Sequence, residues 1–373
     1  MSQPPHHRPV WAEIDLAAIR HNAATLLAGA AAPQLMAVVK ADGYGHGAVP
    51  TGRAALEGGA TWLGVALVEE GEELRAAGIT APILVMSEPP PAAAPAMLAA
   101  QLTPTVYTDD FVRALVTAAG GATVEVHLKI DTGMRRVGLP EPQWDEAFAR
   151  LAALPSVRVA GLWSHLAVAD EPDSDFTPLQ GRRFARGVEM ARAAGLTPEL
   201  LHVANSGATT LWPDLHLDMV RTGIVLYGCE AAPGIIPDGL RPAMALRARL
   251  SLVKPLTAGD TVSYGRRWAS PVDTVVGTVP CGYADGVRRA LTNTGQVTVA
   301  GQRRPMVGTV CMDQFLIDLG PGSTVGIGED VWLIGGPGPD PVTAEDWAAW
   351  LGTITYEVTC GIGVRVPRVH LDG

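Results

Sequence analysis

Up to about residue 235 the chain repeats one texture: a short, nearly continuous apolar run, then a longer stretch with apolar residues three and four apart. The runs are LMAVVK (35–40), TWLGVAL (61–67), PILVMS (82–87), TPTVY (103–107), TVEVHLKI (123–130), VRVAGLWSH (157–165), ELLHVAN (199–205) and MVRTGIVLYG (219–228). Runs apolar at almost every position are the mark of parallel strands buried on both faces. Between them the spacing predicts helices at 141–154 and 178–195. A further helix is expected over 12–30, with Asp15 as its N-cap, Leu16, Ile19, Ala23, Leu26 and Leu27 on its apolar face and Gly29 as its stop. Eight strand–helix units of this length predict a TIM (β/α)8 barrel; a doubly wound sheet is the alternative.

The texture changes at AAPGIIPDGLRP (231–242), a Pro/Gly-rich boundary. Beyond it the runs alternate and are punctuated by Gly259-Asp260, Gly301-Gln302 and Gly320-Pro321, which predicts an all-β domain. One helix is expected within it at 343–351, opening on Thr343. The expected organisation is α/β: an N-terminal segment 1–11 offered as a strand of the β-domain, a cofactor-binding barrel over 12–238, and a mostly-β domain over 239–373.

Composition adds limits. With 47% hydrophobic and 18% charged residues in 373, a large core is available and global disorder is excluded. A net charge of −10 argues against a nucleic-acid-binding surface. Cys229, Cys281, Cys311 and Cys360 form no C-x-x-C pair, so neither a metal nor a redox motif is indicated, and scattered thiols fit a reducing compartment. The opening MSQPPHHRPVW lacks the pattern of a signal peptide, and no apolar run reaches the ~18 residues of a membrane span. A cytoplasmic enzyme with no membrane or nucleic-acid partner is expected.

Among the 28 basic residues only Lys40, Lys129 and Lys254 are lysines. Arginine stays protonated at neutral pH and cannot form a Schiff base, so lysine chemistry has three candidates. In a barrel the active site lies at the C-terminal ends of the strands. There the sequence places Lys40 before Ala-Asp-Gly-Tyr-Gly-His-Gly, Lys129 before Asp131-Thr132-Gly133-Met134-Arg135-Arg136, then His165, Asn205-Ser206-Gly207, and Arg221 before Gly223-Ile224. Taken singly, Lys40 reads as a snorkelling strand-end lysine, His165 as a core histidine, and the Ser-Gly and Gly-Ile pairs as turns. Together they describe a rim whose glycines let backbone N–H groups approach an anion such as a phosphate, beside a lysine nucleophile.

These blocks resemble the alanine racemase family. AVVKADGYGHG (37–47) is similar to the family's cofactor-lysine signature, and HLKIDTGMRRVG (127–138), SHLAVAD (164–170), ANSGAT (204–209), VRTGIVLYG (220–228), VSYG (262–265), GYADG (282–286), CMDQ (311–314) and YEV (356–358) resemble its other blocks in order. The resemblance implies an isomerase dependent on pyridoxal 5'-phosphate, acting on alanine to supply D-alanine for peptidoglycan, in a homodimer with shared active sites.

It further implies Lys40 as the Schiff-base lysine and the base on the D-alanine side, with Tyr264 of the partner subunit as the base on the opposite face. Arg221 would face the pyridine nitrogen with His165 behind it. Tyr44, Asn205, Ser206, Gly223, Ile224 and Tyr356 would bind the cofactor, chiefly its phosphate. Arg136 would contact cofactor and substrate carboxylate, Met312 and Asp313 the substrate, and Asp170, Tyr283 and Arg289 the substrate corridor. Lys129 would be carbamylated, the resulting anion orienting Arg136, against the alternative of an unmodified lysine paired with an acid. Lys254 has no role and is expected to be solvated.

The family reads Met-Gly-Arg where this chain has Met134-Arg135-Arg136. A glycine there permits φ > 0, which Arg135 makes costly, so either an ordinary backbone or a shifted loop is expected. Two other functions stay open on sequence: a racemase of another small amino acid such as serine, and a non-catalytic pyridoxal-phosphate-binding barrel.

Overall fold

A computed structural model describes residues 7–372. The chain divides into two compact units, residues Ala18–Arg241 and a second unit formed by the residues up to Ala17 with Pro242 onward.

The first unit holds eight parallel strands: β2 (Gln34–Val38), β3 (Trp62–Val65), β4 (Ile83–Val85), β5 (Thr103–Val106), β6 (Val124–Asp131), β8 (Val157–Trp163), β9 (Leu200–His202) and β10 (Met219–Thr222). Their order is β10-β2-β3-β4-β5-β6-β8-β9, with a two-residue strand β7 (Leu139–Pro140) beside β6. The Asp218 N–H donates to the Leu201 carbonyl (3.1 Å) and the Arg221 N–H to the Ala204 carbonyl (3.0 Å), bringing the two ends of the path together. That is the barrel expected from the apolar runs, and the doubly wound alternative is set aside. Met36, Leu84 and Met219 are fully buried and pack with Trp62 and Met86, one layer of the barrel's filling.

Two expected boundaries are corrected. The run 219–228 leaves the strand after Thr222 and turns into a 3-10 helix at Ile224–Tyr227, because Gly223 (φ −105°, ψ −99°) breaks the extended backbone. The helix expected over 12–30 starts at Leu16: residues 12–15 belong to strand β1 (Val10–Asp15), so Asp15 ends a strand just before the helix Leu16–Gly29. The expected helices 141–154 and 178–195 appear as a 3-10 turn Glu141–Gln143 followed by Trp144–Ala152, and as Phe176–Ala193.

The second unit is mostly β. Its strands are β11 (Met244–Arg249), β12 (Leu252–Leu256), β13 (Thr261–Val262), β14 (Trp268–Ala269), β15 (Thr274–Val279), β16 (Gln296–Val299), β17 (Gln302–Val307), β18 (Phe315–Gly320), β19 (Asp330–Ile334) and β20 (Arg368–Leu371). Nine strands run β12-β15-β18-β17-β16-β19-β11-β1-β20, and β13 pairs with β14. β1 joins antiparallel to β11 (Val10 opposite Ala248) and parallel to β20 (Ala12 opposite Arg368). Burial alternates strictly along β11 and β18, the period of strands with one face on a core.

Thr343 caps the helix Ala344–Leu351 by accepting the Asp346 N–H, as its sequence position suggests. A second helix, Thr355–Cys360, was not expected. No helix among the described residues is long and apolar enough to cross a membrane.

Candidate functional site

Period-two geometry fills the barrel's interior with polar groups. On β6, His127 and Lys129 share a face, as do Gly161 and Trp163 on β8 and Met219 and Arg221 on β10. Gly161 has no room for a side chain: a Cβ there would lie 2.6 Å from the His127 ring.

Arg221 is 2% exposed, and its bonded partners are all neutral. Nη1 donates to His202 Nδ1 (3.0 Å), and Nη2 to the Ser164 carbonyl (2.9 Å), the Val203 carbonyl (3.2 Å) and His165 Nδ1 (3.3 Å). Its Nε has no hydrogen-bond partner among the described residues. Burial lowers its pKa to about 9.

A guanidinium only donates, so these bonds fix tautomers. His165 and His202 must each accept at Nδ1 and carry the proton on Nε2. His202 Nε2 then donates to His127 Nδ1 at 3.0 Å. All three rings are kept neutral: burial and the Arg221 charge push His127 down to about 3, and His165 and His202 well below the ordinary histidine value. Trp163 stacks on His202, its ring plane within 9°.

Lys129 lies in the same cluster, 4% exposed, with Nζ 4.0 Å from the centre of the Trp163 ring. Burial, then the charges of Arg221, Arg136 and Lys40, lower its pKa to about 7. The neutral amine is therefore far more accessible at pH 7 than in an ordinary lysine.

Lys40 follows β2 and opens an unusual turn. Ala41, Asp42, Gly43, Tyr44 and Gly45 all have left-handed φ between 52° and 83°. For Ala41, Asp42 and Tyr44 this costs about 1–2 kcal/mol each. The turn is tied by Gly43 N–H to the Val39 carbonyl (2.8 Å), by Ala48 N–H to Asp42 Oδ1 (2.9 Å) and by Ala41 N–H to Glu70 Oε1 (2.6 Å). The buried His46 ring stacks on Tyr227, whose hydroxyl donates to the Val38 carbonyl (3.0 Å).

Tyr44 reaches across to β10: a Cβ on Gly223 would fall 2.4 Å from the Tyr44 hydroxyl. The Gly223 N–H donates to Ser206 Oγ (3.0 Å), and Asn205 caps the helix Ser206–Leu211 by accepting the Ala208 N–H (3.0 Å). Hydroxyls and backbone around a small-residue cradle, with cations behind, form a donor set for an anion. Ile224 is fully buried beside it.

Of the two expectations for Arg135, that of an ordinary backbone is overturned. Arg135 takes φ 59°, the conformation a glycine would have had, and its N–H donates to Asp131 Oδ1 (3.2 Å) with that of Gly133 (2.8 Å). Arg136 and Lys129 line one small recess with His165.

The remaining candidates lie in the β unit. Tyr264 is 74% exposed and Met312 53%, and both line a cavity of about 510 Å3 with Tyr283, Arg289 and Asp313. Met312 and Asp313 are held from behind. The Asp285 side chain, fully buried, accepts two bonds from Arg8 (2.8 Å each) and one from the Gly282 N–H (2.9 Å). Arg365 spans Asp285 (3.2 Å) and Asp313 (2.7 Å), and the Ala284 N–H donates to the Met312 carbonyl (3.0 Å). Tyr356 stands half-buried in the helix Thr355–Cys360, Asp170 is half-buried after β8, and Lys254 is exposed on β12.

Sequence reasoning missed His127, His202, Trp163 and the fully buried Gln180, which donates to Thr132 Oγ1 (3.0 Å) and the His165 carbonyl (3.1 Å). The signal was present for His127: it stands two residues before Lys129 in one strand, hence on the same face. Among the described residues no group of three or more His, Cys, Asp or Glu is placed to hold a metal.

Comparison with known proteins places this geometry. Residues 14–231 match the model of the alanine racemase N-terminal domain and residues 243–370 that of the C-terminal domain. The chain is 45% identical to an alanine racemase of Symbiobacterium thermophilum over 97% of both chains, and 46% identical to one of Thermobifida fusca over 96% of this chain and 97% of the relative. It superimposes on alanine racemase from D-cycloserine-producing Streptomyces lavendulae with a TM-score of 0.94 at 42% identity, covering 99% and 98% of the two chains. For the Bacillus anthracis enzyme with bound L-Ala-P the TM-score is 0.91 at 34% identity, over 99% and 97%.

Proposed function

Because the chain belongs to the alanine racemase family, we propose that it interconverts L- and D-alanine with pyridoxal phosphate, using Lys40 and Tyr264 of the partner subunit as its two bases. The observation that carries the reading is the cationic barrel mouth. Burial first, and then the charges of Arg221, Lys129, Arg136 and Lys40, lower the pKa of His165, beside the Tyr44–Ser206–Gly223 cradle. Such a mouth suits a ligand with a phosphate, and a substrate with a carboxylate.

The residues fit the cofactor. Tyr44, Ser206, Gly223 and Ile224, with Asn205 shaping the helix start, would hold the phosphate; Arg221 would face the ring nitrogen. When bound, pyridoxal phosphate supplies an aldehyde for an amine and a ring that withdraws electrons from the alanine α-carbon. Lys40 holds the group and moves the α-proton on one face; Tyr264 of the partner subunit does so on the other. Two positioned groups are needed, because one base returns the proton to the face it left.

Arg221 tempers the reaction. As an obligate donor it leaves its acceptor unprotonated, where an aspartate would not, which limits electron withdrawal and favours proton exchange over transamination. Its charge has no carboxylate partner among the described residues, and neutral His165 and His202 fix its plane.

Lys129 is the site of a carbamate. The ammonium first gives up one proton; the neutral amine then attacks CO2, a nitrogen–carbon bond forms as one C=O bond opens onto oxygen, and a second proton leaves the nitrogen, so over the two steps a cation becomes an anion beside Arg136 and Arg221. Burial supports this by lowering the amine's pKa to about 7, so that the neutral form is available near neutral pH. After equilibration with 13C-bicarbonate the holoenzyme should show a carbamate carbon signal that Lys129→Ala lacks. Identical spectra from parent and variant would sink the assignment.

The function itself is tested by polarimetry on purified holoenzyme. L-Alanine and D-alanine should each decay to an equal mixture, with L-serine slower; a cofactor-loaded protein that turns over neither alanine would return the non-catalytic reading. The match of the β unit to the racemase C-terminal model already disfavours that reading.

A further inference from the structure

We infer that Ser263 is a positioning residue for Tyr264, holding the turn that carries the phenol in a conformation only glycine adopts readily. Ser263 has φ 62° and ψ −177°, a region essentially reserved for glycine, and beyond Tyr264 both Gly265 (φ 72°) and Arg266 (φ 49°) again take positive φ. Such an outlier persists only where its surroundings over-determine it.

Here they do. Ser263 Oγ donates to the Thr309 carbonyl at 2.6 Å, and Thr309 Oγ1 donates back to the Tyr264 carbonyl at 2.6 Å. Thr309 is 2% exposed, so this reciprocal pair is anchored in the unit's interior. Cys311 Sγ lies 3.3 Å from Ser263 Oγ. Gly308 closes the contact, since a Cβ there would lie 2.8 Å from Val262 Cγ2 and 3.1 Å from Ser263 Cβ. Within its own chain the Tyr264 ring is 74% exposed, so before a partner subunit packs on it only the backbone aims it. Its direction is therefore set by the backbone, and Ser263 fixes that backbone. A glycine would accept the dihedral angles but lose the hydroxyl bond; an alanine would keep the strain and lose the bond that offsets it.

The inference rests on Tyr264 acting as the second base, and the test separates the two. Ser263→Ala should lower kcat about tenfold and Ser263→Gly about threefold. Amide hydrogen exchange at 264–267 should quicken in the same order while exchange in β15 and β18 holds. Proton transfer by Tyr264 becomes more rate-limiting in Ser263→Ala. The primary isotope effect with α-deuterated L-alanine, whose deuteron Tyr264 takes, should then rise, and that with α-deuterated D-alanine should fall. A mere loss of folded enzyme lowers kcat and leaves both isotope effects in place. Parent-like kcat and exchange in Ser263→Ala, or Ser263→Gly falling below Ser263→Ala, overturns the inference. Full activity in Tyr264→Phe overturns instead the reading beneath it.

Discussion

Lys40→Ala should lose racemisation by at least about four orders of magnitude, together with the visible absorption band that pyridoxal phosphate acquires on joining a lysine amine. Both losses are expected because one amine has two duties, holding the cofactor and moving a proton. No arginine can replace it, so Lys40→Arg should be equally inactive while keeping the charge that the cluster around Lys129 and His165 feels. That second variant guards against a simple folding failure, since it preserves both volume and charge at the end of β2. The one lysine placed to interfere is Lys129, buried in the same cationic cluster. If the band and turnover survive in Lys40→Ala and vanish in Lys129→Ala, the assignment of the two lysines is reversed. Parent-like band and turnover in both variants would remove lysine chemistry from the site altogether.

The barrel and much of its rim were legible in the sequence for a physical reason. Strands buried on both faces have almost no polar positions, so Leu35–Val39 or Ile83–Val85 can be read without knowing their neighbours. Lys40, His165 and Arg221 stand out because a charge or imidazole at the end of such a run is conspicuous. What escaped depends on distant partners. The N-terminal segment reads as a strand of the β-domain only to residue 11; residues 12–15 look like the start of a helix until the pairing of β1 with Ala248 and Arg368, more than 200 residues away, is known. The His127–His202 pair is invisible because a histidine inside an apolar run looks like core until another strand brings a second ring within 3.0 Å.

Backbone strain escaped for a related reason. Local preference places Ala41, Asp42, Arg135 and Ser263 in ordinary regions, and each adopts a left-handed φ because contacts elsewhere outweigh it. All four lie within the blocks that carry the chemistry, beside Lys40, Arg136 and Tyr264. At these positions strain coincides with a side chain that has to be aimed, whereas Gln101, Leu217, Asn293 and Ala300 take positive φ outside those blocks.

Tyr264→Phe should lower kcat in both directions by about 10²–10⁴-fold, the range for loss of a positioned acid–base group. The ring, its exposure and the Ser263–Thr309 support are unchanged by the substitution, so the loss is of the hydroxyl alone. With Lys40 intact one face still exchanges. In D2O, D-alanine should gain an α-deuteron while keeping its configuration, and L-alanine should exchange far more slowly. Equal exchange of both enantiomers would place both protons on one base and end the two-base reading.

The same variant tests whether the site is shared. If Lys40 of one subunit works with Tyr264 of the partner subunit, a mixed dimer of Lys40→Ala and Tyr264→Phe chains has one doubly disabled site and one intact site. Half the dimers in an equimolar exchanged mixture are mixed, so two inactive proteins should together recover about one quarter of the parent activity. A mixture that exchanges subunits and stays inactive would instead put Lys40 and Tyr264 of a single chain in one site.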